Sequence, residues 1–120
     1  MKKLLAALMV LVVMAGFAFA EADRTIPHKA KVVTSNTVIL ASGTVVYRIW
    51  GVATGGTNAT FGVYDAATLG TATATTIRAE GGEASQYDMI PTIDFGPEGV
   101  PFDTGLTVIT NNMYVTVEYL

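Results

Sequence analysis

The sequence predicts an all-β protein, a single antiparallel β-sandwich of jelly-roll or Ig-like type with about eight strands. Three observations carry this. Short runs rich in Val, Ile, Thr and aromatic residues recur along the chain. Gly, Asn, Asp and Pro punctuate them at intervals of about ten residues. No segment after residue 20 shows the spacing of an amphipathic helix.

The first twenty residues stand apart. Lys2 and Lys3 precede an apolar run, and Ala18-Phe19-Ala20 closes it. Charge, apolar stretch and small-residue site are the three parts of a secretory signal. We expect a bacterial signal peptide over 1–20, a flexible arm over 21–30 and the sandwich over 31–120. The implied location is periplasmic, cell-surface or extracellular, with membrane contact only through the signal segment before cleavage.

The strongest strand signal is TVVYRIWGVA, residues 44–53, followed by NATFGVYD, residues 58–65. Thr54-Gly55-Gly56 between them predicts a three-residue hairpin turn. That register places Val45, Tyr47, Ile49, Phe61 and Val63 on an inner face. Val46, Arg48, Trp50, Thr60, Gly62 and Tyr64 form the outer face, and Gly62 leaves room for a long neighbour. Earlier, Val32-Val33 and the run from Thr37 to Leu40 flank a Thr-Ser-Asn turn. Later, residues 71–79 alternate Thr and Ala as an edge strand, and 80–83 read as an acidic Gly turn. Residues 87–95 are β-prone, but Pro91 bends the strand, breaks it or confines it to an edge. Residues 96–101 read as loop. Residues 102–105 form a tight turn in which Asp103 bonds turn amides and Gly105 takes a positive φ. A last hairpin turns at Asn111-Asn112, since Asn tolerates the left-handed conformation. After it Met113, Val115, Val117 and Tyr119 face the core, while Tyr114, Thr116 and Glu118 face away.

Composition excludes several function classes. The whole chain of 120 residues carries a net charge of -3. Without Lys2 and Lys3, five basic residues oppose ten acidic ones, a net of -5. That sign argues against nucleic acid and against anionic membrane surfaces. There is no cysteine, which removes disulfides, thiolate metal sites and cysteine nucleophiles. The single histidine, His28, lies in the arm as a solvated residue, so no Ser-His-Asp triad is expected.

No catalytic residue, cofactor or metal site emerges. Glu80 with Glu83, or Asp88 with Asp94 and Asp103, are the acidic pairs that glycoside hydrolysis would need, but they sit where solvated carboxylates are common. Asp88, Asp94 and Asp103 leave loop calcium open. Asn58-Ala59-Thr60 matches a glycosylation sequon by chance in a bacterial context. The residues with a functional reading are Arg48, Trp50 and Tyr64. On one outer face they offer a protein partner or a second copy an anchor, and a sugar ring a stacking strip. The competing reading covers this face and makes Trp50 core.

The order of features resembles small β-sandwich structural proteins of tailed phages and prophages. The resemblance rests on SGTVVYRI at 42–49, ATFGVYD at 59–65, FDTGL at 102–106 and VTVEY at 115–119. It implies a non-enzymatic structural or surface-binding role in repeated copies, as in a virion. The export signal departs from that pattern.

Overall fold

The computed structural model describes residues 28–55, 58–83 and 85–120. The expected signal peptide, residues 21–27 of the arm and Gly56 of the predicted turn lie outside them. Nine strands form two antiparallel sheets, with no α-helix among the described residues. The strands are β1 (Lys29–Val33), β2 (Thr37–Leu40), β3 (Thr44–Ala53), β4 (Ala59–Tyr64), β5 (Ile77–Glu83), β6 (Ile93–Asp94), β7 (Val100–Phe102), β8 (Leu106–Asn111) and β9 (Met113–Tyr119).

The first sheet runs β1-β9-β3, with β6 and β7 both on the far side of β3. The second runs β2-β8-β4-β5. Read as pairs, β4 lies with β5, β3 with β6 and β7, β2 with β8, and β1 with β9. That nested ribbon, rolled so that it splits into two sheets, is the jelly roll. Here β6 and β7 share the place of one strand.

Rolling overturns both predicted hairpins. β3 and β4 do not pair: β3 bonds β9, β6 and β7, whereas β4 bonds β8 and β5. The Gly-rich link between them carries the chain from one sheet to the other. The same holds for β8 and β9, although Asn112 does take the left-handed conformation, with φ 53°. Its carbonyl accepts from the Thr54 N–H at 2.8 Å, so the two arches are tied together. Local turn chemistry specifies a reversal but not the sheet to which the chain returns.

The core fills the space between the sheets. Val33, Val46, Ile49, Phe102, Met113, Val115 and Val117 come from the first, and Phe61, Val63, Leu106 and Val108 from the second. The alternation expected in β9 holds, with Met113, Val115, Val117 and Tyr119 buried. In β3 it fails at one point. The ladder pairs Val46 with Tyr119 and Arg48 with Glu118, leaving Tyr47 as the extra residue of a β-bulge. Val46 therefore turns inward together with Ile49, and Tyr47 leaves the core. Tyr47 is still buried, because His28 stacks on its ring at 3.8 Å between centroids.

Other expectations move in the same way. Gly81 and Gly82 belong to the edge strand β5, not to a turn, and pair with Phe61 and Thr60. A Cβ at Gly81 would lie 2.7 Å from the Phe61 ring, so the glycine makes room for a core aromatic. Residues 71–76 are not a strand. A single 3-10 turn (Leu69–Thr71) leads into a knot of threonine hydroxyl bonds, with Thr76 donating to the Thr71 carbonyl at 2.9 Å. Short hydroxyl side chains offer the backbone local partners in place of a ladder. Pro91 does break its segment, leaving a bridge at Met89 and the two-residue β6. Strand β1 begins at Lys29, inside the expected arm, and β7 occupies part of the expected 96–101 loop.

The 102–105 turn is held from outside. Asp65, buried at the end of β4, accepts the N–H groups of Asp103 at 3.1 Å, Thr104 at 2.8 Å and Gly105 at 3.2 Å. It does what was expected of the exposed Asp103. Gly105 is not at positive φ. It is glycine because a Cβ would come within 2.5 Å of the Ala66 carbonyl. Burial by itself would raise the Asp65 pKa. The three N–H groups, Thr104 foremost, and the Arg78 charge outweigh it and hold the carboxyl below its ordinary 3.8.

Candidate interaction surface

Residues directly opposed in an antiparallel ladder share a face. Three rows cross the outer face of the first sheet on that basis. One runs Ala30, Glu118, Arg48, Asp94. The next runs Val32, Thr116, Trp50. The third runs Tyr114, Val52, Met89.

The two ends of this face differ in chemistry. Val32, Met89 and Tyr114 are exposed at 56%, 65% and 48%, around a half-buried Trp50 and Val52. Most large exposed hydrophobic side chains of the described residues therefore gather on or beside one face, Tyr87 standing two residues before Met89. Scattered apolar residues need no explanation, whereas these stand on adjacent strands of one face.

At the other end the charged row forms a cluster. Glu118 accepts from Arg48 Nε at 3.1 Å and lies 2.6 Å from His28 Nδ1. The His28 bond, countered by partial burial and aided by Arg48, keeps the Glu118 carboxyl below its ordinary 4.5. With Asp94, Gly96 and Pro97 these residues line a shallow depression of about 220 Å³. His28 is thus not a free arm residue. It covers Tyr47 and joins the start of β1 to β9 and β3.

The expected Arg48, Trp50 and Tyr64 surface is divided. Arg48 and Trp50 share the outer face of the first sheet. Tyr64 sits on the second sheet, with Ile77 and Thr107 as its register partners. Its ring lies over Gly62, filling the space that glycine was expected to leave for a long neighbour on the outer face. Sheets stack about 10 Å apart, so Tyr64 cannot complete a strip with Trp50. Tyr114 is the aromatic that neighbours Trp50, diagonally across the β3–β9 ladder. The alternation of β9 placed Tyr114 outward in the sequence, but nothing there placed β9 beside β3. Trp50 is half-buried, between the exposed and core readings.

The carboxylates weighed as calcium ligands do not converge. Asp94 accepts the Gly96 N–H at 2.8 Å in its own turn, and no three His, Asp or Glu side chains are placed to hold a metal ion among the described residues. No buried side-chain polar atom among them lacks a partner.

No family model matches the chain, and neither a curated protein nor a solved structure shows significant similarity to it.

Proposed function

We propose that this chain is an exported, non-enzymatic structural or surface-binding protein that works by contact and associates with further copies, as a virion-like subunit does. The observation that supports this most is the apolar outer face built from Val32, Trp50, Val52, Met89 and Tyr114. An exposed Met89 and Tyr114 beside Trp50 match the residue types enriched in interface cores. Jelly rolls serve as both coat and lectin domains, so the architecture suits contact work without choosing the partner. The second reading is carbohydrate binding, with Trp50 and Tyr114 as the stacking pair in place of Trp50 and Tyr64.

Trp50, the single tryptophan, reports on this face. Protein recovered from cells expressing the full chain is examined by light scattering on size exclusion and by Trp50 fluorescence over a concentration series. We expect association with a blue shift of Trp50, weakened in a Met89→Ser/Tyr114→Ser variant. A blue shift produced by glycans on a monomer selects the second reading. A monomer whose Trp50 emission neither concentration nor glycans move overturns both.

A further inference from the structure

The two flanks of the sandwich are unlike each other. On one side β1 and β2 are the edge strands, each paired on a single side. On the other side β5 ends the second sheet, and β6 lies beside it in the first. Glu80, Gly81 and Gly82 of β5 line one mainly apolar groove with Phe61, Ile90, Pro91 and Ile93, a cavity of about 210 Å³.

Charge separates these flanks. Lys29 and Lys31, exposed on β1, are the only lysines after Lys3. β2 and its flanking turns carry no charge. The opposite flank exposes Glu80 on β5 with Asp88 and Asp94 beside β3. Its one basic side chain on β5, Arg78, is turned toward Asp65 at 3.6 Å.

The edges also differ in whether they can template another strand. In the first sheet the β6 side is broken into a bridge at Met89, two residues of β6 and three of β7, with prolines at 91, 97 and 101. Such an edge is blunted. β5 offers seven continuous residues with a mainly apolar groove alongside. An extended strand adding there gains main-chain bonds and a seat for an apolar side chain.

We propose that copies of this chain join head to tail, the β1–β2 flank of one against the β5 flank of the next, so that the second sheet runs on from β5 into the neighbour's β2. This rests on the contact reading above and names the partner as a second copy. Edge lysines ordinarily guard against pairing. Here they do so selectively. β1 repels β1, and the Glu80 flank repels its own kind, while the mixed contact brings opposite charges together. A contact between two different patches leaves a free flank at each end, so assembly runs on past the dimer, as an open filament where the rotation between copies closes no ring. This contact uses neither Trp50 nor Tyr114.

Sedimentation velocity and electron microscopy on the recovered protein test this. At low salt we expect linear assemblies beyond the dimer that shorten as salt screens the flanks. The variants Lys29→Glu/Lys31→Glu and Glu80→Lys/Asp88→Lys each give both flanks the same prevailing sign, negative in the first and positive in the second. Each alone should lose every species beyond the dimer while keeping the wild-type circular dichroism and melting. Mixed in equal amounts, they should assemble again as an alternating copolymer. Assembly that persists in either variant alone, or no recovery on mixing, overturns the proposal. So does a wild type that stops at a dimer while shifting Trp50, a result that leaves the contact function through the outer face standing.

Discussion

Asp65 and Glu118 are two carboxylates held below their ordinary pKa by opposite means. Asp65 is buried, and its main partners are backbone N–H groups of residues 103–105. Glu118 lies on the outer face, and its partners are the side chains of His28 and Arg48, 30% and 50% exposed. The first is a latch between β4 and the start of β8, fixed by main-chain geometry. The second is a clasp between long side chains, which pay rotamer entropy and are screened by solvent. A similar direction of shift therefore stands for different contributions to stability.

The largest effect should come from cutting the latch. Asp65→Ala leaves three N–H groups without their acceptor, the Gly105 one buried, and should cost about 2–4 kcal/mol in chemical denaturation. A loss under about 1 kcal/mol would show that water replaces the carboxylate freely. Gly105→Ala attacks the same junction without touching charge, because the new methyl meets the Ala66 carbonyl. It should cost about 1–3 kcal/mol. Its acid limb should keep the wild-type shape, which separates crowding from loss of the carboxylate.

The pH dependence follows from both groups. Each has a folded pKa below its unfolded one, so between the two values the unfolded chain binds more protons and stability rises with pH. Their contribution is complete above the ordinary values of 3.8 and 4.5 and is lost as pH falls through the folded ones. Asp65→Asn should flatten this acid limb more than Glu118→Gln does. The reverse order, read from melting temperature against pH, would make the clasp the stronger device.

Smaller effects belong to the clasp. Glu118→Gln should cost about 0.5–1 kcal/mol at low salt, shrinking in high salt, where the Asp65→Ala loss stays. His28→Ala should cost least in overall stability, about 0.5 kcal/mol. It uncovers Tyr47, so faster amide exchange at the start of β1 is the sharper measurement.

The same contrast explains what could be read in advance. The outward set of β9 and the bent segment at Pro91 follow from period-two alternation and from the missing proline N–H, both local. The Asp65 latch gave no signal, because the residues it joins are far apart in sequence and the 102–105 turn already held an aspartate. The Trp50–Tyr64 pairing failed for a related reason. It assumed that neighbouring strands pair, and in a jelly roll the chain from β3 to β4 changes sheet. The alternation read across β3 also missed the bulge at Tyr47, which trades Val45 for Val46 on the inner face without changing composition.

By itself, then, the sequence determined an all-β, disulfide-free domain with most of its turns, though not the one at 80–83, in place, since alternation and turn chemistry act between near neighbours. Tertiary structure decided which strands share a sheet, that Trp50 stands with Tyr114 and not Tyr64, and that Asp65 holds the 102–105 turn. It also set the lysine edge and the acidic edge on opposite flanks. Those are pairings between distant segments, chosen by the closure of one common core, and no short window of residues contains them.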